Sequence, residues 1–163
     1  MNIKKLLREK VIIVAIVSFL FLIFTFFYID FCIKERTLIN KSKKIKKEFL
    51  MHVGTELKAV EMEVSRNLDT IKDNIETLEK ENKWIDYEKK IDNISLELAL
   101  KTEKIIMNFE EKIKELREKR DLRLFNEGVK NIIKKSKEEL RKAINKNLKD
   151  YKEIIVKIKE EEE

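Results

Sequence analysis

The amino-acid sequence predicts an all-α chain: one N-terminal transmembrane helix followed by long amphipathic helices, built as a coiled coil or an extended helical hairpin or bundle. Three observations carry this. The 163 residues contain no proline and only two glycines, Gly54 and Gly128, so the turns of a sheet-containing domain have few residues to form them. Charged residues make up 42% of the chain, and Lys, Glu, Ile, Leu and Asn without breakers are the composition of long helices. The run VIIVAIVSFLFLIFTFFYI, Val11–Ile29, is apolar on every face.

In chain order, residues 1–10 form a basic tail with Lys4, Lys5, Arg8 and Lys10. Residues 11–33 form the expected transmembrane helix, marked along its length by Val11, Phe19, Phe24 and Ile29. Nineteen apolar residues at 1.5 Å rise reach roughly 28 Å, close to the hydrocarbon thickness of a bilayer. Ser18 and Thr25 are expected to bond back to the preceding turn at little cost. Phe27, Tyr28 and Phe31 fall where an aromatic belt would lie. The run exceeds a secretory h-region and ends in bulky and charged residues rather than a small-residue cleavage site, which favours an uncleaved anchor. Ile29-Asp30-Phe31 also departs from the small residues that precede a lipoprotein cysteine, so Cys32 is not expected to be lipidated.

Orientation has two opposed signals. Lys34, Arg36, Lys41, Lys43, Lys44, Lys46 and Lys47 follow the run closely and favour a cytoplasmic C-terminal region. A basic start followed by an apolar run is, however, the usual opening of an exported protein, and long domains translocate largely regardless of charge. The reading adopted is a single-pass cell-membrane protein with an extracytoplasmic C-terminal region. Lys41, Lys43, Lys44, Lys46 and Lys47 are then the residues that face anionic headgroups.

Residues 34–163 form a charged helical region with three apolar stripes. The first runs through Ile45, Phe49, Val53, Leu57, Val60, Val64, Leu68, Ile71, Ile75 and Leu78, a mean spacing of 3.67 residues. Such a face needs a partner, so Val53–Leu78 is the expected association seam, toward a second copy or a partner helix. A possible break lies at 81–86, where Asn82 would end one helix and Asp86 cap the next. The second stripe is Ile91, Ile94, Leu98, Ile105, Phe109, Ile113 and Leu116, with Thr102 at its one polar step. The segment REKRDLRL, Arg117–Leu124, interrupts it with charge. The main break is expected at 126–128, because Asn and Gly tolerate positive φ. A third stripe, Leu140, Ile144, Leu148, Tyr151, Ile155 and Ile158, precedes an acidic end expected to fray.

Chemistry is conspicuously thin. One histidine, His52, and one cysteine, Cys32, supply no metal or haem ligand set and no His-based triad. No nucleotide-binding or nucleophile-elbow motif occurs. The net charge of +6 mixes 37 basic with 31 acidic residues, without a basic groove interleaved with aromatics. The expectation is a non-enzymatic scaffold or interaction protein with no cofactor, no small-molecule substrate and no nucleic-acid partner, binding a lipid membrane and a like or unlike helix. The plan of one N-terminal span, a long charged helix and the 3.67 spacing resembles the b-type peripheral-stalk subunit of rotary ATP synthases. It departs from that family in having only Ala59, Ala99 and Ala143 beyond the span. Inner-membrane spanins and small division proteins share the same plan. These resemblances imply a stalk or tether in a membrane machine, or an envelope-bridging lysis or division protein.

Overall fold

The computed structural model describes residues 3–80 and 83–160, with side chains from residue 17 onward except Asp73. Four helices follow in order: α1 (Ile3–Asp69), α2 (Lys72–Lys80), α3 (Trp84–Glu118) and α4 (Leu122–Glu160). There is no strand among the described residues. The backbone of Ile3–Lys10, read from the sequence as a tail, belongs to α1, while the side chain of Val11 lies outside the described residues. The chain divides into two compact units, Met1–Lys41 and Ser42–Glu163.

In the second unit the helices fold back on one another. Lys46 pairs with Glu110 at 3.3 Å, and the Phe49 and Phe109 rings stack with centroids 3.9 Å apart, so α1 runs antiparallel to α3. Lys146 reaches Glu97 at 2.9 Å and Asn147 donates to the Ile94 carbonyl at 2.7 Å, so α4 is antiparallel to α3 in turn. Lys152 meets Glu63 at 3.2 Å and closes the third side. One end of this bundle holds Ser42 and the α3–α4 turn. The other holds α2, where Ile71, Leu78, Tyr87, Ile154, Ile155 and Ile158 form a buried cluster. Trp84 packs half-buried against that cluster, as a helix-end plug would.

The stripes supply this core. Leu98, Thr102, Ile105, Phe109 and Ile113 are buried on α3, and Leu140, Ile144, Tyr151, Ile155 and Ile158 on α4. The partner that each stripe requires is found within the same chain.

The main turn is not at 126–128. Gly128 lies inside α4, and no described glycine has positive φ. The chain reverses at Lys119–Asp121 instead, with Arg120 in the left-handed region at φ 54°. Asp121 caps α4: its Oδ1 accepts the Arg123 amide at 2.8 Å and the Leu124 amide at 2.9 Å. Gly128 serves close approach, because a Cβ there would sit 2.7 Å from a Leu116 methyl. The glycine is a notch for α3, not a hinge. An unforeseen break falls at Thr70–Ile71. There the Thr70 hydroxyl donates to the Asn67 carbonyl at 2.6 Å and the Ile71 amide tightens onto Leu68 O at 3.1 Å. The possible break at 81–86 is met by α2 ending at Lys80 and α3 starting at Trp84; Glu81 and Asn82 lie outside the described residues. Asp86 is in the first turn of α3, not at its cap, which is Lys83. The acidic residues 161–163 lie outside the described residues.

Ile71 is fully buried, whereas Lys72 beside it is exposed. Ile71→Asp should lower the thermal midpoint steeply, since loss of a buried aliphatic side chain costs ~2–5 kcal/mol and an unpaired buried charge adds to it. Lys72→Asp should change it little, because its carboxylate is solvated and opens α2, where the helix dipole favours it. Circular dichroism melting of both variants checks this. Equal, small shifts would show that Ile71 is not a core residue.

Candidate membrane anchor and interaction surfaces

In the first unit, α1 contains a stretch long and apolar enough to cross a membrane, with mean hydropathy 1.9 and none of it buried. Phe19, Phe24 and Ile29 are 63%, 72% and 51% exposed, so the apolar surface surrounds the helix and is not one face of a core. Two of its polar side chains are satisfied locally. Thr25 Oγ1 donates to the Phe21 carbonyl at 2.8 Å, and Asp30 is paired with Lys34 at 2.6 Å. That pair neutralises the only carboxylate between Val17 and Ile33. Cys32 is a free, exposed thiol.

The expected association seam lies mostly inside the second unit. Val53, Val60, Ile71 and Leu78 are buried, and Leu57, Val64, Leu68 and Ile75 half-buried. Leu57, Val64 and Leu68 keep their partial exposure because they line a groove of about 540 Å³. Val60 of α1, Ile91, Ser95, Leu98 and Ala99 of α3, and Asn147 and Tyr151 of α4 also line it. Ser95 Oγ donates to the Ile91 carbonyl at 3.0 Å and shares a short hydrogen bond with the Tyr151 hydroxyl. Asn147 Oδ1 and Thr102 Oγ1 are buried without a hydrogen-bond partner. Asn147 escaped the sequence reading because stripes were traced through apolar residues. Its position three after Ile144 and four before Tyr151 was the available signal.

Of the lysines expected to face headgroups, Lys43, Lys44 and Lys47 are exposed, while Lys41 and Lys46 are half-buried and Lys46 is held by Glu110. Lys43 and Lys46 line a second groove, of about 620 Å³, together with Lys114 and Arg117 of α3. His52 lies on the flank of the first stripe, its Nδ1 3.8 Å from Glu56. Among the described residues no three His, Cys, Asp or Glu side chains are grouped to hold a metal ion.

The strongest electrostatic feature is Glu97, which accepts from both Lys101 on its own helix and Lys146 on α4. Those hydrogen bonds, Lys101 first and Lys146 second, hold its carboxyl down at about 2, and Glu97 in turn raises Lys146. A depressed carboxylate contributes stability that is fully present above its unfolded value. That contribution fades as pH falls from the ordinary range, about 4.5, toward 2. Glu97→Gln should therefore flatten this acid limb of the stability profile and, because Lys146 loses the partner that raises it, also the alkaline fall above the ordinary lysine range. Acid melts of both proteins check it; identical acid limbs would show that the bridge does not persist in solution.

Comparison of the chain with protein-family models, with curated proteins and with solved structures finds no match.

Proposed function

We propose that this protein is a single-pass, membrane-anchored helical scaffold, with a bundle that acts by contact and not by catalysis. The observation that carries the reading is the apolar stretch of α1, exposed on all sides over Val17–Ile33 in an otherwise highly charged chain. Exposing this much apolar surface to water is unfavourable at about 25 cal/mol per Å², whereas a bilayer accepts it. The basic residues Lys43, Lys44 and Lys47 follow at the spacing of an interfacial, lipid-facing cluster, with Lys41 just before them and Lys46 among them. The cell membrane is the proposed location and the bundle the proposed extracytoplasmic part.

The bundle also bears on the partner. With Val53, Val60, Ile71 and Leu78 covered from within, a second copy or partner helix would meet outward residues such as Leu96, Leu100 and Met107 of α3, which are 57%, 58% and 64% exposed. A scaffold with its stripes internally satisfied differs from an extended stalk, where the same stripes would lie open along a rod. The scaffold reading is therefore preferred to the stalk or tether.

Membrane fractionation tests the anchor. The full chain should stay in the pellet after alkaline carbonate extraction, and Phe19→Asp with Phe24→Asp should release it. Each central Asp opposes insertion by about 2.5–3.5 kcal/mol on the insertion scale. Release of the unmodified chain by carbonate would refute the anchor. For orientation, Asn131→Cys in a Cys32→Ser background should react with an impermeant maleimide without inner-membrane lysis, since Asn131 is exposed. Labelling only after lysis would reverse the orientation.

A further inference from the structure

The charged segment 117–124 broke the apolar pattern of the sequence without finding a use. The fold gives it a position. Because α3 runs antiparallel to the Ser42–Asp69 part of α1, the α3–α4 turn returns to the end of the bundle at which α1 enters. Lys43 and Lys46 of α1 and Lys114 and Arg117 of α3 consequently line one groove with Glu110 and Glu111, the first of these held by Lys46, although about 70 residues separate the two sets of cations in the chain. From this juxtaposition we propose that the α3–α4 turn, with Lys114, Arg117, Lys119 and Arg123, forms with Lys43, Lys44 and Lys47 a discontinuous surface that docks onto an anionic bilayer.

Charge complementarity supports this occupant. Residues 42–48 carry four lysines against one glutamate, and residues 114–123 carry five basic against three acidic residues. Within residues 114–123 Asp121 caps α4 and Glu118 lies 4.0 Å from Lys114, and the segment keeps a net charge of +2. At the opposite end, residues 69–81 carry two basic and five acidic residues. Residues 83–90 and 152–160 lie at that same end and add six basic and four acidic residues, so it is close to neutral, and an anionic surface attracts the Ser42 end and not the other. Arg123, 3.1 Å from Glu127, is 85% exposed at its side chain and Leu124 is 48% exposed, which sets an apolar residue beside a cation as at the boundary of headgroups and acyl chains. Chain length keeps this end in reach: from Ile29 to Ser42 the chain extends at most about 45 Å.

This inference rests on the membrane-anchor reading, and its test separates the two. The full chain, Cys32→Ser, is given one fluorophore at Lys119→Cys or, in a second preparation, at the exposed Glu79→Cys. Each is placed in nanodiscs of phosphatidylcholine, with or without about 30% phosphatidylglycerol, containing headgroup-nitroxide lipid as quencher. Quenching at position 119 should rise at least two-fold with the anionic lipid and fall back at about 0.5 M salt, where the Debye length is about 4 Å. Position 79 should not respond. Lys114→Gln with Arg117→Gln and Arg123→Gln should abolish the rise at unchanged helicity, and the salt arm needs no variant. Equal quenching in both lipids, insensitivity to salt, or an equal response at position 79 overturns the docking surface alone. Failure of the chain to enter nanodiscs overturns the anchor, and the docking surface with it.

Discussion

A helix with one apolar stripe and charge on every other face is stable only when something covers the stripe. In Ser42–Glu163 the cover is the seam between α3 and α4, and the rest of the unit depends on it. Leu98, Thr102, Ile105, Phe109 and Ile113 face the buried residues of α4, and α1 then lies against the pair by stacking Phe49 on Phe109. The seam depends on close approach. Gly128 leaves room for Leu116, and Asn147 spends its amide on the Ile94 carbonyl. A polar side chain at a core position fixes register, since sliding the helices would strand it without a partner.

Much of this was legible from periodicity. The buried members of the second stripe and most of the third are the residues that recur at helical spacing, and the apolar run stood out by length. Turns were harder. Positive φ was sought at Gly128, whereas Arg120 adopts it, because the aspartate that follows could cap a helix and the glycine was needed for packing. A glycine in a helical sequence carries two meanings, and only the neighbouring helix tells them apart. Ile154 was missed because it lies beside the stripe, where α2 folds over the helix end and widens the buried face. Glu97 pairs with Lys101 four residues on, as helical spacing allows, but Glu110 crosses to Lys46 on α1, a choice that only tertiary contact creates.

The chemistry of the surfaces follows the same division. The polar groups of Thr25 and Asp30 in the apolar part of α1 are settled within a turn of their own helix. Those of the bundle are settled between helices, through Glu97, Glu63 and the Ser95–Tyr151 pair. The groove beside that pair is lined by apolar side chains together with Glu61, Asp69, hydroxyls and the Asn147 amide, and it accounts for the partial exposure of Leu57, Val64 and Leu68.

The cluster at the α2 end has a consequence for how the protein is made. Ile71, Leu78 and Tyr87 are synthesised well before the residues that cover them, Ile154, Ile155 and Ile158. During translation the earlier helices therefore leave the ribosome with their stripe uncovered, and closure of that end waits for Ile154–Ile158 to emerge. A nascent chain with an open apolar face is a natural client for holding factors, and loss of Ile154–Ile158 would leave that face open.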